Sequence, residues 1–161
     1  MKVGLVHGRF QPFHNGHKFL VGQMLKESDV GVVLVGSADK HDERNPYPFS
    51  LRQKMIRSTF PSKKLLIGGN LDLPDPYNPS TPWDVLLASC VFSLAGRLPT
   101  TVYAAADYTV PWIRVNAEVK TYARYNDTAG AEIRSLIRNG KINEVEKLVP
   151  AAVFQLMKGL S

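Results

Sequence analysis

His7-Gly8-Arg9-Phe10-Gln11-Pro12-Phe13-His14-Asn15-Gly16-His17 holds three of the chain's four histidines and follows directly on the apolar run Val3-Gly4-Leu5-Val6. The run reads as a first strand ending at Val6, and Gly, Pro and Asn mark Gly8–Gly16 as a loop. From His17 to Lys26 the apolar residues at 20, 21, 24 and 25 have helical spacing. A strand feeding a histidine-bearing loop and then a helix is the arrangement to decode first. His14 and His17 stand three residues apart, so at a helix start both rings share one face. Helix N-termini offer unpaired N–H groups and partial positive charge, which suits phosphate. Two imidazoles there can donate hydrogen bonds and follow charge as it grows in a transition state. A metal-binding pair and an ordinary capped helix start are the competing readings.

Outward from this loop the pattern alternates. Val30–Val35 is a continuous β-branched run of the kind buried on both sheet faces. Ser50, as N-cap, opens a helix to about Thr59; Lys64–Ile67 is a third strand closed by Gly68-Gly69. Four prolines at 74, 76, 79 and 82 make residues 70–82 a loop. Trp83–Ala95 is a helix, Thr100–Ala105 a strand, and Val115–Thr121 alternates like an edge strand. Helices at Ala131–Arg138 and Ala151–Met157 follow, with a short piece at Ile142–Val145 between them. The expectation is an α/β fold with a central parallel sheet flanked by helices, and ligands at the strands' carboxyl ends.

Composition narrows the function. With 161 residues, 44% of them hydrophobic and 21% charged, the chain fits a single globular domain over 1–161. One cysteine, Cys90, excludes an internal disulfide and a Cys-rich zinc site. No apolar stretch approaches the ~20 residues of a spanning helix, and no secretory leader pattern opens the sequence. A cytoplasmic setting without membrane association is expected. The net charge of +6 suits an anionic partner. It is spread evenly, with no basic tail, so a small phosphorylated ligand fits better than nucleic acid. Arg52, Lys54, Arg57, Lys63 and Lys64 read as a solvated helix face and turn, and Trp112 as core.

The decapeptide Gly8–His17 resembles the archaeal-type nicotinamide mononucleotide (NMN) adenylyltransferases of the His-x-Gly-His nucleotidylyltransferase superfamily. Gly36-Ser37-Ala38 followed by Asn45-Pro46 is similar to the family's loop after the second strand. The resemblance implies a Rossmann-like nucleotidylyltransferase fold. It also implies joining of the NMN phosphate to the α-phosphate of ATP, giving NAD and pyrophosphate, with Mg²⁺ entering alongside ATP. His14, His17 and Arg9 would be the catalytic set. Gly8, Arg9, Phe10, His14, Gly16, His17, Ala129 and Arg134 would bind ATP, and Phe13, Ser37, Asp75, Trp83 and Asp107 would bind NMN. Apart from the resemblance, Arg44 lies in the polar loop 37–49 and would reach pyrophosphate on closure. No protein metal ligand is expected, and relatives suggest a homo-oligomer.

One departure stands out. Ala129-Gly130-Ala131-Glu132-Ile133-Arg134 keeps the arginine of the family's second ATP-gripping motif but has Ala where two hydroxyl residues belong. Thr128 is the nearest substitute. The alternatives are therefore an enzyme with another phosphorylated acceptor, nicotinate mononucleotide or pantetheine phosphate, and a non-catalytic ATP- or NAD-binding sensor.

Overall fold

A computed structural model describes residues 1–73, 78–124 and 129–159. Five strands form one parallel sheet: β1 (Val3–Gly8), β2 (Val30–Val35), β3 (Leu65–Gly69), β4 (Thr101–Ala105) and β5 (Glu118–Tyr122). Their order is β3-β2-β1-β4-β5, so the winding reverses between β1 and β4. In a doubly wound sheet this reversal opens a crevice at the carboxyl ends of the two strands. The helices are α1 (Asn15–Glu27), α2 (Phe49–Thr59), α3 (Trp83–Ala95), α4 (Gly130–Arg138) and α5 (Ala151–Lys158), with a 3-10 turn at Ile142–Val145.

Strand alternation divides the core. Val3, Leu5, Val32 and Leu34 face α3 through Leu87 and Val91, whereas Val6, Val33 and Val35 face Val21 and Met24 of α1 and Met55 and Ile56 of α2. Fully burying a Val or Leu is worth about 1.5–3 kcal/mol relative to exposure, so these strands carry much of the fold's stability. Gly4 permits close approach of α1, because a Cβ there would lie 2.5 Å from Met24 Cγ.

Several boundaries differ from the sequence reading. Pairing of His7 with Leu34 and Gly8 with Val35 carries β1 two residues past Val6, which puts His7 on the strand. α1 begins at Asn15, ahead of His17. Ser50 is not the cap of α2; that helix starts at Phe49 after Pro48, whose ring presets an extended entry. Gly68 and Gly69 do not close β3 but belong to it, paired with Leu34 and Val35. Trp112 packs half-buried against the α3-side cluster and donates its indole N–H to the Tyr108 hydroxyl at 3.1 Å.

Arg52 corrects the reading of the basic cluster. It is fully buried and donates to the carbonyls of Arg9 (2.9 Å), Gly36 (2.8 Å) and Ser37 (3.0 Å). One planar fork thus ties the exit of β1 to the exit of β2. Arg57 and Lys64 also serve backbone carbonyls, of Ser62 and Leu65 and of Leu25.

Candidate active site

The loop after β1 is held from three sides. Gln11 is buried and pairs its amide with Tyr47 as a strand neighbour would, accepting the backbone N–H and donating to the carbonyl, both at 2.9 Å. Arg134 of α4 donates to the Gln11 carbonyl at 2.7 Å, and Arg52 holds the Arg9 carbonyl. Phe10 and Ser37 take positive φ of 55° and 49°, at the exits of β1 and β2. Non-glycine residues rarely adopt that region, and such strain gathers where geometry serves a site.

Rigid support of this kind fixes the two histidines. His14 is the N-cap of α1, and its Nδ1 accepts the Gly16 backbone N–H at 3.1 Å. His17 reaches back so that its Nδ1 accepts the His14 backbone N–H at 3.2 Å. The pair is a capping box built from imidazoles. Because each Nδ1 is an acceptor, each ring in its neutral form carries its proton on Nε2. The rings stack with centroids 3.6 Å apart. Burial, then the charge of Arg124, pushes His14 down to about 4. Burial, then His14, then Arg124, holds His17 well below the usual imidazole range. At neutral pH the site presents two uncharged Nε2–H donors. Gly16 makes this possible, since a Cβ there would sit 2.9 Å from His14 Cε1.

A cavity of about 380 Å³ opens beside them, over the ends of β1 and β4. Gly8, His14, Gly16, His17 and Asp107 line it, bringing five of the expected site residues together. Asp107 pairs with Arg124, which holds its carboxyl below the ordinary range. Arg124, also on the cavity wall, escaped the sequence reading; nothing in its local pattern marks it.

Arg9 is exposed and donates to Asn45 at 3.4 Å, which anchors it to the loop after β2. Burial first, then the charges of Arg9, Arg138 and Arg44, lowers the Arg134 guanidinium from its ordinary value. Four arginines thus converge, and among the described residues none of the four forms an ion pair. An anion would relieve that repulsion. Ala129 is the N-cap of α4 and supplies no side-chain hydrogen bond.

Other expectations fare differently. Phe10 and Phe13 are buried; Phe13 stacks behind His17 at 5.7 Å and exposes no ring face to a ligand, so its side chain backs the histidine. Ser37 is buried and donates to Asp72 at 2.8 Å. Trp83 lies half-buried at the start of α3, its ring 6.5 Å from His7. Asp75 and Thr128 lie outside the described residues. His7 was visible in the histidine run but carried no role there; it lines the cavity. No group of three or more His, Cys, Asp or Glu side chains converges among the described residues, and no helix among them is long and apolar enough to cross a membrane.

Comparison with known proteins accords with this geometry. Residues 5–77 match the cytidylyltransferase-like family. The nicotinamide-nucleotide adenylyltransferase of Methanocorpusculum labreanum is 47% identical over 57 residues, 35% of this chain and 34% of that protein. The enzyme of the same name from Halobacterium salinarum is 32% identical over 165 residues, covering 98% of this chain and 86% of its own length. A solved bifunctional NMN adenylyltransferase/ADP ribose pyrophosphatase from Francisella tularensis, complexed with AMP and a manganese ion, superimposes with a TM-score of 0.72 at 22% identity. That match covers 92% of this chain, which spans less than half (44%) of the Francisella protein. The full-length likeness to the Halobacterium enzyme, joined to the imidazole-capped helix at the sheet's reversal point, leads to one conclusion: the chain belongs to the nicotinamide-nucleotide adenylyltransferase family, nucleotidyltransferases that transfer an adenylyl group to NMN in NAD synthesis.

Proposed function

We propose that His14 and His17 carry the transfer by donating their Nε2–H groups to the phosphates of ATP. The observation behind this is their shared capping geometry, which leaves two neutral donors stacked on one side of the cavity. An oxygen of the NMN phosphate attacks the α-phosphorus of ATP in line. The bond from that phosphorus to the bridging oxygen breaks, and pyrophosphate leaves with the electron pair. No side-chain nucleophile is needed, because the acceptor phosphate is itself the nucleophile. Catalysis is then alignment and charge stabilisation.

Arg9, Arg44 and Arg134 would hold the β- and γ-phosphates, assisted by the backbone N–H groups from Ala129 onward at the start of α4. Gly8 and Phe10 contribute backbone at the β1 exit, and Gly16 keeps His14 in place. Ser37, Asp75, Trp83 and Asp107 remain the proposed acceptor side. Mg²⁺ would enter as MgATP with the nucleotide's phosphates as its ligands, since no group of three or more His, Cys, Asp or Glu side chains converges among the described residues. When bound, it would neutralise charge on the leaving pyrophosphate. The reading further proposes one domain over residues 1–161, assembly into homo-oligomers and a cytoplasmic setting.

The test is pyrophosphate release from MgATP with NMN, beside nicotinate mononucleotide and pantetheine phosphate. Release with NMN and formation of NAD support the reading. Release only with pantetheine phosphate overturns the acceptor, and nucleotide binding without release favours the sensor.

A further inference from the structure

Charge is divided around the loop after β1. Arg9, Arg44, Arg134 and Arg138 converge on its α4 side, whereas His7 and Tyr108, which line the cavity, gather at its other end with Trp83 and Asp72 beside His7. His7 projects from β1 toward the α3 face, with the Trp83 ring at 6.5 Å and the Tyr108 ring edge-on at 6.4 Å. Asp72, fixed by the Ser37 hydroxyl at 2.8 Å, is close enough for its charge to act on the imidazole. A cationic pyridinium ring is repelled by the arginines and drawn to aromatic faces and a carboxylate. The same charges send the phosphates the opposite way.

Within this end His7 is chemically unfinished. Its Nδ1 is enclosed without a partner, and no hydrogen bond reaches either ring nitrogen among the described residues. Buried polar atoms are nearly always paired, so an orphan on a cavity wall points to a ligand group. Burial pushes His7 down to about 4, with Asp72 opposing, so the ring is neutral at pH 7. A neutral imidazole offers one donor and one acceptor. A primary carboxamide offers the same two and satisfies either nitrogen. A carboxylate only accepts, so it pairs with the N–H of one tautomer alone, and the nearby Asp72 charge repels it.

We infer that His7 is a specificity-determining residue that reads the substituent on the pyridine ring of the acceptor, taking the carboxamide of NMN and rejecting the carboxylate of nicotinate mononucleotide. The inference rests on the reading above that the acceptor is a pyridine nucleotide. The experiment compares NMN with nicotinate mononucleotide in both binding, by titration calorimetry, and turnover, using wild type, His7→Val and His7→Asn. Melting temperatures confirm that each variant is folded. His7→Val is expected to lower affinity and kcat/KM for NMN about tenfold or more while sparing nicotinate mononucleotide, so the preference collapses. The KM for ATP stays unchanged. His7→Asn, which keeps a polar atom near the Nδ1 position, recovers part of the preference. Equal losses for both acceptors, or an unchanged ratio, overturn the inference. Binding with a His7-dependent preference but no turnover leaves it standing and removes the catalytic reading instead; failure to bind either acceptor overturns both.

Discussion

The Nδ1 of His17 accepts the backbone N–H of His14 at 3.2 Å while the two rings stack at 3.6 Å, so each histidine is positioned through the other. A serine or glutamate would cap the helix equally well. Imidazoles do so with a second nitrogen left over, and in the proposed transfer that nitrogen donates to phosphate.

This arrangement has a pH signature. His7 and His14 are lowered to about 4, and His17 is lowered as well, from an unfolded value near 6.5. The unfolded chain therefore binds more protons below about pH 6.5. Their contribution to stability is full above that pH and is lost as pH falls toward the folded values. Thermal melts from pH 7.5 to 4.5 should show a melting temperature falling below about 6.5, with a shallower fall in His14→Asn. A flat wild-type profile across that window would contradict neutral, buried imidazoles.

Gly16→Ala places a methyl 2.9 Å from His14 Cε1. The ring must shift, and misplacement on this scale near the reacting atoms costs up to about 100-fold in kcat. Steady-state kinetics should show that fall with a melting temperature within a few degrees of wild type. Unaltered kcat would mean the ring position is not critical.

Arg52→Met removes three hydrogen bonds from a charged donor to the carbonyls of Arg9, Gly36 and Ser37. The loss should be about 2–4 kcal/mol in denaturant unfolding. Lys54→Ala, exposed on the same helix, should change stability by less than about 0.5 kcal/mol. Similar small effects at both positions would return Arg52 to the solvated face expected from sequence.

Ala129→Ser restores an N-cap hydroxyl at α4, where no side chain now caps. Stability should rise by about 1 kcal/mol, and the KM for ATP should fall as the added hydroxyl reaches phosphate. A stability gain with unchanged KM would confine the departure at 129 to the helix and clear it of any part in binding.

What was legible in the sequence followed local pattern. His14 and His17 declared themselves by spacing after a strand, and β2 by an unbroken β-branched run buried on both faces. What was hidden depended on contacts far along the chain. Arg52 sits among charged residues at a helix start, and the carbonyls of Arg9, Gly36 and Ser37 make its burial tolerable. His7 looked like loop because its strand pairing comes from Leu34, 27 residues on. Phe13 looked like a contact for the acceptor, yet its ring fills the core behind His17. Arg124 joins the histidines across more than 100 positions.

The most direct test of the account is NAD formation from NMN and MgATP by wild type, His14→Ala and His17→Ala. Removing one preorganised donor to a developing charge costs about 10²–10³ in kcat. Both variants should fold, bind ATP, and lose kcat on that scale. Wild-type rates in either variant would contradict the role given to the imidazole pair.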